Sequence, residues 1–137
     1  MTVNVLISQK LNLKDYKWNN RVVLVMANEV NLKYSQQVKE ITNESIQNLL
    51  ERQIILIEIQ NNSYSIFDPK SGEIGERNWK PTEDIFEKYL DKKDDFRFVL
   101  LGLDGGVKVD NTEVVTTKEL FRKIDSMPMR RAEMRDR

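Results

Sequence analysis

Asn28, Glu29 and Asn31 stand between an apolar run and an amphipathic segment, where a strand gives way to a helix. Free backbone N–H groups at a helix start favour an anion or a polar ligand. These side chains, with Arg21 as a nearby cation, therefore form one candidate ligand-binding group. Asn31 can equally serve as a simple helix cap, a position asparagine favours. A second group lies near the C-terminus, where Met127, Met129, Arg130, Arg131 and Met134 cluster around Pro128. Arginines fork onto carboxylates or phosphates, and methionines make adaptable apolar contacts, so this segment reads as a docking surface for an acidic partner. Between Arg122 and Arg137 six basic residues accompany three acidic ones, a local surplus of three. A purely structural reading stands beside it. Met127 and Met129 would pack under a sheet, and Arg130 and Arg131 would pair with domain acids such as Asp125, since ion pairs of either kind look alike in sequence.

What is missing sets the chemistry that remains. The 137 residues contain no cysteine and no histidine. That excludes a cysteine nucleophile, a peroxidatic thiol, a CxxC redox pair and any histidine-based triad. The usual zinc ligands are gone as well, and no cofactor and no metal site is expected. Asp104-Gly105-Gly106 has one carboxylate and no phosphate-loop or calcium-loop pattern. Lys+Arg and Asp+Glu both number 22, which argues against a nucleic-acid partner and leaves little repulsion against forming a homo-oligomer. No apolar run is long enough to enter and span a membrane. The first ten residues lack the basic start of a signal peptide, so the chain as it stands reads as cytoplasmic, or as extracytoplasmic if such a peptide has been removed.

The elements that must position these residues follow from periodicity. Arg21–Ala27 and Gln53–Ile59 are continuous β-branched and apolar runs of the kind found in strands buried on both faces. Val38, Ile41, Ile46, Leu49 and Leu50 between them predict one long helix from about Leu32 to Arg52. Trp18 is expected against the sheet edge. Residues 60–80 read as a long loop with a short edge strand at Tyr64–Phe67. Thr82 opens a second helix carrying Ile85, Phe86, Tyr89 and Leu90. Phe96–Leu103 and Val107–Val109 flank a D-G turn and predict a hairpin. Thr116 and Glu119 form a capping box for a last helix, which Met127-Pro128-Met129 ends, leaving 127–137 as a basic tail. Residues 1–17 form an N-terminal extension, and the whole is a single α/β domain of thioredoxin-like order. Its central mixed sheet is expected to hold about four or five strands, a βαβ unit followed by a ββα unit, with helices on both faces.

Four strings carry a resemblance further: Trp18–Ala27 (WNNRVVLVMA), Glu51–Ile57 (ERQIILI), Leu101–Lys108 (LGLDGGVK) and Ile124–Met134 (IDSMPMRRAEM). Together they resemble the P-DUDES family, thioredoxin-like domains of unknown function found in bacteria and in vertebrate extracellular proteins. The resemblance implies kinship with peroxiredoxins without their catalytic cysteine. The peroxidatic position would fall near Asn28–Asn31, where this chain has no thiol. It implies a fold and an absence of redox chemistry, not an activity; the leading expectation is a non-catalytic binding or protein-interaction module. The alternative is an enzyme or small-anion binder that works through arginine and carboxylate side chains near the first strand–helix junction. Metal-free protein is expected to reduce no insulin disulfide and to consume no peroxide above the buffer rate. Turnover of either substrate would refute the non-redox reading.

Overall fold

The computed structural model describes residues 11–61, 63–71, 78–81 and 95–136. Six strands form one mixed sheet in the order β4-β3-β2-β1-β5-β6. They are β1 (Arg21–Ala27), β2 (Ile54–Gln60), β3 (Ser63–Phe67), β4 (Lys80–Pro81), β5 (Arg97–Leu101) and β6 (Val107–Asn111). Strands β1 and β2 run parallel, Arg21 beside Ile54 through Ala27 beside Gln60, and β5 runs antiparallel to β1 on its other side. The four strands β2-β1-β5-β6 are the βαβ and ββα units of a thioredoxin-like fold. The short edge strand expected at Tyr64–Phe67 is β3, and the count passes the four or five expected through the two residues of β4. Strand β3 pairs with β2, and the two residues of β4 extend the sheet beyond it.

Every residue of β1 is buried, so alternate side chains serve different layers. Val23, Val25 and Ala27 join Leu56 of β2 and Phe98 and Leu100 of β5 beneath the helices, while Val22, Leu24 and Met26 join Ile55, Ile57 and Val99 on the other face. Leu11, Leu13 and Tyr16, at or near the short 3-10 turn Leu13–Tyr16, cover part of that second face. The helix expected from Thr82 through Leu90 lies outside the described residues.

The long helix expected over 32–52 is two helices, α1 (Leu32–Thr42) and α2 (Ile46–Glu51). The break falls at Asn43-Glu44-Ser45. Asn43 closes α1, and the Ser45 hydroxyl accepts a hydrogen bond from the Asn48 N–H, so a local cap starts a new helix where the apolar stripe alone suggests continuity. Helix α3 (Thr117–Asp125) starts as expected at Thr116, whose side chain accepts from the Glu119 N–H. The segment expected as a basic tail is a further helix, α4 (Pro128–Arg135). Pro128 stops α3 and also opens α4, because the first position of a helix needs no N–H donor and suits the fixed proline φ.

Strands β5 and β6 are joined through 102–106, where Gly105 N–H donates to Gly102 O and Gly105 takes φ 81, as the hairpin reading requires. The connection from β6 to α3 is tied down by a buried glutamine. Gln37 of α1 accepts from Val115 N–H at 2.7 Å and donates to Val115 O at 2.8 Å. Gln37→Leu keeps the apolar bulk but strands both backbone groups of Val115. Urea unfolding of this variant is expected to show a loss of about 2–6 kcal/mol, one to three for each buried group left unsatisfied.

Candidate functional site

The candidate residues fall at the two ends of the sheet. Strand β1 spans about 20 Å at roughly 3.3 Å per residue, and Arg21 begins it while Asn28 follows its last residue. Arg21 therefore does not join Asn28, Glu29 and Asn31. The grouping expected from sequence divides between the two ends.

At the β1–α1 end, Asn28, Glu29 and Val30 are exposed and line a surface depression of about 610 Å³ together with Asn31, Leu32, Lys33 and Asp95. Asn31 is committed to structure. Its Oδ1 accepts from Tyr34 N–H at 2.9 Å, and its Nδ2 donates to Asp95 O at 2.8 Å. The cation in the lining, Lys33, is paired with Glu113 at 3.1 Å. Two carboxylates, Glu29 and Asp95, share the lining with that one paired lysine, an arrangement that disfavours an anion.

The opposite end is organised by three guanidiniums and three carboxylates. Arg21 and Arg130 are each only 1% exposed. Burying a guanidinium demands partners, and both find them on other elements. Arg130 Nε donates to Asp125 Oδ1 at 3.1 Å, and its Nη1 donates to Glu51 O at 3.1 Å and to Glu133 Oε2 at 3.4 Å. Arg21 Nη1 donates to Arg52 O at 3.0 Å, and its Nη2 donates to Glu133 Oε1 at 3.3 Å. Arg52 forks onto Asp125 through Nε at 3.1 Å and Nη2 at 2.9 Å, while its guanidinium lies 4.0 Å from the Phe121 ring centroid. The Glu51 carboxylate reaches Arg52 at 3.6 Å and Arg130 at 3.7 Å. This network locks the start of β1 to the ends of α2 and α3 and to α4.

Beside the network a groove of about 320 Å³ opens between the β5–β6 turn and the start of α4. Leu103, Met127, Pro128 and Met129 form apolar walls, and Lys108 and Lys123 contribute cations. Lys108 pairs with Asp104 at 3.1 Å, and Asp104 also accepts from Gly106 N–H. The Gly106 N–H and then Lys108 hold the Asp104 carboxyl below its ordinary range. Lys123 makes no ion pair among the described residues.

Of the C-terminal candidates, Met127 and Met129 line this groove, and Arg130 is the buried anchor beneath them. Arg131 is exposed and Met134 is 37% exposed, and neither lines the groove. The pairing of Arg130 with Asp125 matches the structural alternative, while the methionines flank a groove instead of lying wholly under the sheet. Lys108, Lys123 and Glu133 were missed by sequence reasoning. Glu133 alone left a trace, since its i,i+3 spacing from Arg130 suits a helical ion pair. Trp18 was also misplaced. It is 61% exposed, not packed on the sheet edge.

A model of the family described as "Domain of unknown function (DUF4174)" matches residues 12–133, and the chain belongs to that family. No curated protein and no solved structure matches it.

Acid should loosen this end of the molecule. Burial raises the Asp125 carboxyl, but the hydrogen bonds and charges of Arg52 and Arg130 outweigh burial and hold it below 3.8. A carboxyl depressed in the folded state adds stability that is fully present above its unfolded pKa, about 3.9. That stability is lost as pH falls through the folded value. Stability is therefore expected to drop below about pH 4. In thermal melts across that window, Asp125→Asn should be less stable at neutral pH and show a shallower acid decline. Arg130→Ala, which removes one of the two arginines on each of Asp125, Glu51 and Glu133 and leaves Glu51 O without its donor, should cost about 3 kcal/mol at neutral pH.

Proposed function

We propose that this member of the DUF4174 family is a non-catalytic, thioredoxin-like binding module that recognises an acidic partner. Its binding face on this reading is the end of the sheet formed by the β5–β6 turn and the start of α4. The observation that carries the reading is the groove, with apolar walls of Leu103, Met127, Pro128 and Met129 beside Lys108 and Lys123. Its volume falls at the small end of ligand pockets, roughly 300–1,000 Å³, and apolar walls with a few placed polar groups are typical of such sites. Methionine walls adapt to varied apolar shapes, while the lysines favour negative charge and steer its approach. The buried arginines beneath give the face a rigid base, so little ordering entropy is lost when it is filled.

The β1–α1 end supports the non-catalytic half of the proposal. Its described side chains offer no thiol and no histidine, and Asn31 is occupied as a cap. The resemblance to the P-DUDES family points the same way, because it implies the fold without thiol chemistry. We extend the family assignment to P-DUDES on the strings already quoted, parts of which converge on this end of the sheet: Arg21, Glu51 and Arg52, Gly102–Lys108 and Asp125–Glu133.

Thermal unfolding against small anions, nucleotides and acidic peptides tests the proposal. Saturation at about 100 times the Kd adds about 2.7 kcal/mol, which raises Tm by several degrees in a domain of this size. Acidic peptides are expected to produce the shift, and the double variant Lys108→Glu, Lys123→Glu should abolish it. A shift given only by small anions, and removed by Asn28→Ala instead, would place the binding face at the β1–α1 end and overturn the assignment.

A further inference from the structure

Trp18 is held in solvent by a backbone that resists it. Its ring is 61% exposed and its φ is 70. That left-handed conformation costs a non-glycine residue roughly 1–2 kcal/mol and persists only where surrounding bonds impose it. Those bonds are present. Trp18 N–H donates to Leu103 O at 2.6 Å, and Asn19 and Asn20 N–H groups both donate to Tyr16 O. Asn20 is buried and donates to Gln53 O, while Gln53 returns a bond to Asn19 O. Exposure of a large aromatic and backbone strain are separate costs, and the ring contact recorded for Trp18 is the Lys17 ammonium.

The position of Trp18 connects it to the groove. Leu103, which accepts its N–H, is a wall of the groove. Lys17 lies along the same turn, its stem 3.8 Å from where a Cβ on Gly105 would stand, and its ammonium sits 5.5 Å from the Trp18 ring centroid. Lys108 and Lys123 line the groove, Lys17 stands beside the Gly105 turn that borders it, and Asp104, already paired with Lys108, is the acid in the lining. Among the groove's own walls, Arg21 has its charge spent on Glu133, yet its buried Nε finds no acceptor among the described residues. The electrostatic balance of this face is positive and its contact surface apolar.

We infer that Trp18 is the second wall of the binding site, and that the occupant is an extended acidic peptide segment of a partner protein whose apolar side chain enters the groove against the Trp18 ring. The inference rests on the groove being the binding face. An exposed, conformationally fixed tryptophan supplies a large contact area at little entropic loss, which is why tryptophan dominates interface hot spots. Glutamates or aspartates flanking the apolar anchor meet Lys17, Lys108 and Lys123, which sets the charge of the partner.

The test uses the full chain and synthetic peptides in which Leu, Phe or Pro-Leu is flanked by glutamates, with lysine-flanked copies as controls. Nuclear magnetic resonance reads the Trp18 indole N–H and the Met127 and Met129 methyls. Glutamate-flanked peptides are expected to shift these signals, and lysine-flanked copies to leave them unmoved. Trp18→Asn should weaken binding about tenfold or more. Because asparagine accepts the left-handed conformation, the same variant should keep or raise Tm, whereas a merely structural tryptophan would lower it. Wild-type affinity in Trp18→Asn, with binding lost in Lys123→Glu and Met129→Glu, overturns the role of Trp18 and leaves the groove reading standing. Peptide binding that none of these variants changes, or no perturbation by any peptide in the set, overturns both. Two further outcomes would replace the peptide with another occupant. One is a change in Trp18 emission produced only by anionic phosphatidylserine vesicles, and the other is methyl shifts that follow protein concentration alone and report a second copy of the chain.

Discussion

Two guanidiniums taken almost wholly out of water constrain the rest of this molecule. An unpaired buried charge costs several kcal/mol, so Arg21 and Arg130 can stay buried only if acceptors converge on them from separate parts of the chain. They do: Glu51 and Arg52 O come from the end of α2, Asp125 from the end of α3, and Glu133 from α4. Each acceptor is correctly placed only when its own element is docked. The network therefore couples the orientation of α4 to that of β1, and α4, short and highly polar, owes its place to these ion pairs more than to apolar burial. Its buried residue is Arg130 itself.

That coupling has a functional consequence. Fixing α4 fixes Met127, Pro128 and Met129 opposite the β5–β6 turn, and the groove between them is thereby preformed. The turn is held in its own way, by the positive φ of Gly105 and by the Asp104 bonds to Gly106 N–H and Lys108. The groove thus lies between two borders that are each held by their own bonds. At the other end of β1, polar groups are spent on the start of α1, and the charges that line the depression leave no surplus for an anion. On the proposed reading, a thioredoxin-like scaffold without thiols binds at the end opposite the β1–α1 junction.

The fold was largely legible because its signals are local and strong. The runs RVVLVMA and QIILIEI are too apolar and too β-branched to be anything but interior strands, and the D-G step between two such runs is a hairpin signal in its own right. The absence of cysteine and histidine needed no structure to interpret. Legibility fell where a local cap competed with periodicity. Ser45 divides a stripe that otherwise continues from Val38 to Leu50, and Pro128 both stops one helix and begins the next. An isolated proline reads the same in either role, so the C-terminal helix passed for a tail.

The candidate site was legible only in part. Residue types near the C-terminus announced arginines and methionines with some purpose, but whether Arg130 faces solvent or core is a property of three other elements. Trp18 illustrates the limit most sharply: beside the local bonds to Tyr16 O, its own N–H is held by Leu103 O, 85 residues away in sequence, a partner that local spacing does not encode. By itself the sequence determined strand cores, turn chemistry, helix starts and the exclusion of thiol and imidazole reactions, since each depends on residue type and short spacing. Only the tertiary structure decided which charges are buried, that Arg21 and Asn28 stand at opposite ends of one strand, and that Leu103, Lys108 and Met129 line one groove. Burial and long-range pairing are set by the packing of whole elements, and residue spacing along the chain does not report it.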